Sequence, residues 1–503
     1  MDIQSQIADL KTRLTEIEDL RSASAVLSWD RATYMPPGGA AARGRQSALL
    51  ARLRQEKLND PALGRLLDAL QPHGESLPYD SAAAAMLRLA RREYDRAQRV
   101  PPAFVAQLHQ HLGESFAAWR QARPENNFAL VRPYLEKTVE LSRQYAAFFP
   151  EATHPADPFI EQFDYGLNTA TVRAVFAELR QQLVPLVQAL TAQPPADDSC
   201  LLQTFPMDQQ WSIGLEASQL FGYDMNRGRQ DQAPHPFMTS FSIGDVRITT
   251  RLRADVFSDA FYSTLHETGH ALYEQGVAPE LEGTPLAGGA SAGMHESQSR
   301  LWENLVGRSR AFCEFFYPRL QHAFPAQLGT VPLDTFYRAI NKVQRSLIRT
   351  DADEVTYNLH VIVRFDLELA LLEGQLAVRD LPEAWHARYQ SDLGVRAPSD
   401  SDGVLQDMHW FYSPVGGRFQ GYTLGNMMSA QIFDAASRAI PSLPADIQRG
   451  HFTGLRQWLT ENVYRHGKKF TAAETLHRAT GQPLQVAPYI RYLRQKYGEL
   501  YAV

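Results

Sequence analysis

His266, Glu267 and His270 stand in the order His-Glu-Thr-Gly-His. Two histidines four apart on a helix turn their rings to one face, where they can share a Zn²⁺ ion, and the glutamate between them can reach a metal-bound water. A surface helix with two solvated histidines would read the same over five residues, so the surroundings must decide. A catalytic zinc takes three protein ligands and keeps a position open, which requires a further ligand from a second element. Adjacent His295 and Glu296 are the nearest candidates, Glu296 lying 30 positions after His266. Neighbours on a helix differ by about 100°, so only one of the two can face the metal squarely. Glu296 is preferred, because His₂Glu with a separate glutamate base is a hydrolytic set; His295 remains the rival.

The pentapeptide sits in a helical frame. Phe257, Phe261 and Leu265 recur every four residues, Leu272 continues the stripe, and Gly276 supplies a stop, which predicts an amphipathic helix of about 18 residues. Just before it, residues 240–251 alternate apolar and polar types around Gly244-Asp245, predicting a two-stranded hairpin. Such a hairpin either braces the helix or offers an edge strand to an extended peptide.

Elsewhere the periodicity is helical. Ile3, Ile7, Leu10, Leu14 and Ile17 open the chain with an amphipathic helix that packs on its own body. Helices are expected from 40 to about 55 and over 82–98, 102–122, 127–148, 169–193, 206–221 and 292–310. Joints are expected over Tyr34-Met35-Pro36-Pro37-Gly38-Gly39, at Gln71-Pro72-His73-Gly74 and at 194–198. Two later stripes, Phe336/Ile340/Val343/Leu347 and Val355/Leu359/Ile362/Leu369/Leu372, flank a break that holds Arg349. The reading is a predominantly α-helical chain with one small β element and no internal repeat, treated as a single catalytic domain over 1–503.

Composition narrows the function. Two cysteines without a CxxC spacing fit a reducing compartment and confine any metal site to histidines and carboxylates. Fifty basic and 56 acidic residues are scattered without a basic stripe, which argues against nucleic acid. No apolar run reaches the ~18 residues of a membrane span, and the first residues lack a signal pattern, so the cytoplasm is expected.

HETGH followed by His295-Glu-Ser-Gln-Ser-Arg resembles the carboxypeptidase Taq (M32) metallocarboxypeptidases, and the resemblance runs along nearly the whole chain. Leu27-Ser28-Trp29-Asp30 with Met35-Pro36 is similar to that family's N-terminal signature. His235-Pro236-Phe237 is similar to its HPF motif, and Asp245-Val246-Arg247-Ile248-Thr249 to its DxRxT motif. The stretch 348–354, His360 with Arg364, and Gly403 to Trp410 (GxxQDxHW) complete the series. The resemblance implies a mostly helical, neurolysin-like zincin fold with a deep central groove. It also implies a homodimer, and removal of single residues from free peptide C-termini with proline usually rejected. It assigns His266, His270 and Glu296 to one divalent metal, Zn²⁺ before Co²⁺ or Mn²⁺, and Glu267 to the general base. Arg349 would grip the terminal carboxylate, His409 and Tyr422 would contact the substrate or the developing oxyanion, and His235 would line the groove. Two alternatives are a zinc oligoendopeptidase of related fold and an inactive peptide-binding homologue. The chain departs from the family pattern at 416–422, ahead of Tyr422, and at Tyr464, where a histidine is common.

Overall fold

The computed structural model describes residues 2–503, and its elements are overwhelmingly helical. Contacts group the chain into two compact units. One comprises residues 1–98, 198–340 and 431–483, the other 99–197, 341–430 and 484–503. No helix among the described residues is long and apolar enough to cross a membrane.

In the first unit the opening helix, Ile3–Thr33, is capped by Asp2, whose carboxylate accepts from Ser5 N at 2.8 Å. Its stripe is buried at Leu10, Leu14 and Ile17, while Ile3 stays 46% exposed. These side chains join Leu63, Leu66, Leu67 and Leu70 of the helix Pro61–Ser76 in one core. The first helix runs to Thr33, burying Trp29, and the break expected over 34–39 follows it, ahead of the helix Ala40–Leu58. One expectation fails here. Gln71-Pro72-His73-Gly74 is no joint, since Pro72 lies within the last turns of Pro61–Ser76. A proline there removes one hydrogen bond, and the leucine face holds the helix regardless.

The predicted hairpin forms as β2 (Met238–Ser242) against β3 (Asp245–Thr250), antiparallel, with an irregularity between Ser240 and Ser242. A third strand, β1 (Gly228–Gln232), pairs parallel with β3, giving the order β1-β3-β2. Its sequence, Gly-Arg-Gln-Asp-Gln, carries no alternation, and its pairing to a neighbour makes it a strand. On one face of the sheet Val246 and Ile248 are fully buried. On the other, Arg247 lies 4.4 Å over the Trp29 ring and Phe241 meets the same indole edge-on.

The helix Phe257–Gln275 is anchored by Phe257 and Phe261, stacked 5.2 Å apart, and by Leu265 and Leu272, all buried. Beside it runs Ala292–Arg300, capped by Ser291 and continuing into a wide π turn, Leu301–Val306. The two helices touch at Gly269, where a methyl group would lie 2.5 Å from Gln298 O and 2.6 Å from Ser299 Cα.

The second unit is built on Tyr357–Glu373, a helix buried on nearly every face that ends at Gly374 in the left-handed region (φ 76°). The stripe from Phe336 to Leu347 is helical only over Leu333–Ile340. Arg308 donates to Ile340 O at 2.8 Å, and Tyr501 takes the Val343 N–H at 2.7 Å. Side chains thus replace the ladder, and Val343 is buried from an irregular segment.

The contact at Gly269 yields a prediction. Gly269→Ala pushes a methyl into backbone, and overpacking of this kind costs about 1–3 kcal/mol. Gly113, mid-helix with nothing within 4 Å of an added methyl, is the control. Gly113→Ala should hold or slightly raise the melting temperature, and Gly269→Ala should lower it, read by differential scanning fluorimetry.

Candidate active site

Because Gly269 lets the helices meet backbone to backbone, Glu296 stands across from both histidines. His266 Nε2 lies 3.6 Å and His270 Nε2 3.5 Å from Glu296 Oε2. One ligand atom from each of the three residues falls within 4.8 Å of the others. The partners on the far side of each ring fix which nitrogen carries the proton. His266 Nδ1 faces Glu303 Oε2 at 2.9 Å, so its proton is given there and the Nε2 lone pair turns inward. His270 Nδ1 faces His295 Nδ1 at 2.7 Å, and His295 Nε2 is 2.8 Å from Glu274 Oε1. Glu274 accepts from His295 Nε2, which leaves His295 Nδ1 to accept from His270 and the His270 Nε2 lone pair free. Two inward lone pairs and a carboxylate oxygen are the donor set a divalent metal requires.

Electrostatics agree with that geometry at His270. Burial holds His270 down to about 4, outweighing Glu296, so its ring is neutral at neutral pH. Burial also works against His266, yet Glu296 and Glu303 hold it above the ordinary imidazole value. Glu296 resists burial and sits well below the usual carboxylate range beside Arg300, whose Nε donates to Oε1 at 2.7 Å. Glu303 is likewise held down, to about 2, by Arg300 and His266. Glu267 behaves oppositely. Burial, reinforced by Glu296 and Glu303 against the pull of His266, pushes it up to about 7, and the Met238 backbone N–H of β2 faces it. A carboxyl near 7 can both take and return a proton at neutral pH.

Of the two candidates for the third position, His295 is turned toward Glu274 and Glu296 faces the histidines. Glu303 supports His266, whereas Asp353 caps the turn at Thr356 and Glu354 pairs with Lys496 at 2.8 Å. Sequence reasoning did not single out Glu274. Its spacing of four from His270 was the available signal. His235 is exposed on the bend ahead of β2.

In the second unit Arg349, His409 and Tyr422 come together around Asp407. Arg349 does not pair with Asp351 or Asp353. Its Nε donates to Asp407 Oδ2 at 2.8 Å, its Nη1 to Tyr357 Oη at 3.2 Å, and its guanidinium lies 5.4 Å from the centre of the Tyr422 ring. Fully buried Arg364 donates to the same Oδ2 at 2.9 Å, and His409 Nδ1 bonds Oδ1. Gln406 Oε1 accepts from Arg349 N and Arg364 Nη2. Burial lowers His409 despite Asp407, leaving a neutral ring. Two guanidiniums share one carboxylate, so the cluster retains positive charge. At the end of the divergent 416–422 loop, Tyr422 meets the His409 ring edge-on, 6.4 Å between centres. Phe419 packs 4.8 Å from His409, and Gly416 and Gly417, both at positive φ, turn the chain where a methyl on Gly417 would lie 2.4 Å from Phe159 C. Tyr464 is buried, and its hydroxyl accepts from Trp302 Nε1 at 3.2 Å.

Comparison with known proteins agrees with this chemistry. The family profile of carboxypeptidase Taq (M32) metallopeptidase matches residues 9–497. The chain is 39% identical over 494 residues to thermostable carboxypeptidase 1 of Thermus thermophilus, covering 96% of each. It is 36% identical over 502 residues to carboxypeptidase 1 of Bacillus subtilis, covering 100% of each. The crystal structure of the M32 carboxypeptidase from Deinococcus radiodurans superposes with a TM-score of 0.96 at 51% identity, covering 99% of this chain and 100% of that one. The family match over nearly the whole chain and these relatives lead to one assignment: the chain belongs to the carboxypeptidase Taq (M32) family and is a metallocarboxypeptidase, a hydrolase of peptide bonds.

Proposed function

We propose that His266, His270 and Glu296 hold one divalent ion, that Glu267 is the general base, and that the enzyme removes single residues from free peptide C-termini. The observation that carries this reading is the convergence of two inward Nε2 lone pairs on Glu296 Oε2, with Glu303 and the His295–Glu274 pair fixing the tautomers. The same donor set takes Co²⁺ or Mn²⁺, and Zn²⁺ is the ion proposed. When bound, such an ion acidifies water and polarises the scissile carbonyl. Glu267 then takes the water's proton and returns it to the departing amine, a cycle suited to a carboxyl poised near 7.

Arg349 is the proposed anchor for the terminal carboxylate. Asp407 already serves Arg364 and His409 as well, so Arg349 is left with positive charge to offer. With Nδ1–H given to Asp407, neutral His409 presents Nε2 as an acceptor, which suits a substrate N–H rather than an oxyanion. The donor to the oxyanion then falls to Tyr422. His235 is retained as a groove-lining residue on the resemblance alone. Just ahead of β2, Phe237 bonds Thr249 through both main-chain groups, so the alternate residues Met238 and Ser240 turn theirs to the outer edge, where the Met238 N–H faces Glu267. That edge supports addition of the peptide as an extra strand. We further propose one catalytic domain spanning both units, since the family match over 9–497 includes both. A homodimer and rejection of C-terminal proline rest on the family resemblance, and a cytoplasmic location on two buried cysteines without a CxxC spacing.

Three measurements test the scheme. Mass spectrometry of a free-acid peptide and its C-terminal amide, each with and without a chelator, should show a one-residue ladder only from the free acid and only with metal. Internal fragments from both peptides would overturn the exopeptidase reading. Glu267→Gln should lower kcat by about 10²–10⁴-fold with metal content unchanged by plasma mass spectrometry. Arg349→Met should lower kcat/KM for free-acid peptides by about 10–100-fold, the scale of one hydrogen-bonded charge, and metal content should again stay constant.

A further inference from the structure

The outer edge of β2 adjoins a second concave feature of the same unit. A cavity of roughly 600 Å³ lies among the helices Ile3–Thr33 and Ala40–Leu58 and the start of β2, with Arg21, Trp29, Arg54, Gln55, Met238 and Thr239 on its wall. Its charge is one-sided, because two arginines line it and no Asp or Glu does. Arg21 is matched by Glu18 at 2.7 Å. Arg54 is half-buried and makes no ion pair or hydrogen bond among the described residues, and its Nε is enclosed without an acceptor. Trp29, only 8% exposed, also lacks an acceptor for its indole N–H. Nothing among the described residues answers these donors, whereas a carboxylate brought from outside would meet the guanidinium with two oxygens at once.

We propose that this cavity is a subsite for an acidic side chain, Asp or Glu, of the bound peptide upstream of the scissile bond, with Arg54 as its anion-binding residue. The inference rests on the carboxypeptidase reading and on strand addition at β2. In an added strand, side chains alternate faces in step with those of β2. Thr239 sits opposite Arg247 in the sheet, and Arg247 covers Trp29, so this face is the one turned to the cavity. Every second substrate side chain therefore turns toward Arg54, and the residues between turn away. Selectivity should alternate along the peptide and not grow evenly with acidity.

The test is kcat/KM for removal of one fixed C-terminal residue from peptides carrying a single Glu or Gln at each upstream position in turn. The expected result is a Glu-over-Gln preference of about tenfold, one charge-assisted contact in a partly open site, at one position and not at its immediate neighbours. Arg54→Met should erase the preference and leave the Gln peptides unchanged. Arg54→Glu should transfer it to Lys, with circular dichroism verifying both folds. Equal rates for Glu and Gln at every position, or a Glu preference that survives Arg54→Met, would overturn the subsite while leaving the carboxypeptidase intact. Failure of the underlying reading looks different, because wild-type protein would then shorten neither series, and both proposals would fall.

Discussion

Two helices meet at Gly269 more closely than any side chain would permit, and the chemistry of the first unit depends on that contact. Gln298 O and Ser299 Cα occupy the space a β-carbon would need. This proximity brings Glu296 opposite His266 and His270. The glycine inside the histidine motif is thus a packing residue at the centre of a functional segment. The aromatic anchor of Phe257 and Phe261 fixes the tilt of one helix, and the Ser291 cap fixes the start of the other.

Around that contact the charges are sorted. The first unit gathers Glu267, Glu274, Glu296 and Glu303 with Arg300 and Arg308, an acidic excess suited to a dication. Each carboxylate differs from the next in its partner. Those bonded to a histidine or an arginine are held ionised, and Glu267, which lacks such a bond, is the one lifted toward neutrality. In the second unit the balance is reversed, with Arg349 and Arg364 sharing Asp407. A metal and a carboxylate have opposite charges, and the polar residues are allotted accordingly.

Much of this was legible in the sequence, for reasons that separate cleanly. His266, His270 and Glu296 could be read because helix periodicity converts spacing into direction. The hairpin could be read because alternation survives in a half-buried sheet. β1 was invisible, because a polar strand held by its neighbour carries no pattern of its own. Pro72 and the stripe from Phe336 to Leu347 misled in opposite senses. In the first, burial overrode a helix breaker. In the second, side chains of Arg308 and Tyr501 took over the backbone bonds that a longer helix would have made. The role proposed for Arg349 rests on family resemblance. Its nearest acids in sequence are Asp351 and Asp353, whereas its partner, Asp407, lies 58 residues away.

The chain passes between its two units at 98/99, 197/198, 340/341, 430/431 and 483/484. Neither unit is a continuous stretch of polypeptide, and each keeps part of its fabric in the last 73 residues, 431–483 for one and 484–503 for the other. During synthesis, therefore, neither can close until the ribosome has delivered nearly the whole chain. The metal helix, complete by Gln275, must wait with its apolar face unfinished. Such a topology has high contact order and folds slowly, with intermediates that expose hydrophobic surface. The arrangement that gathers distant residues into two clusters thus makes the nascent protein a natural client for chaperones, and it makes truncation from the C-terminus a loss to both units at once.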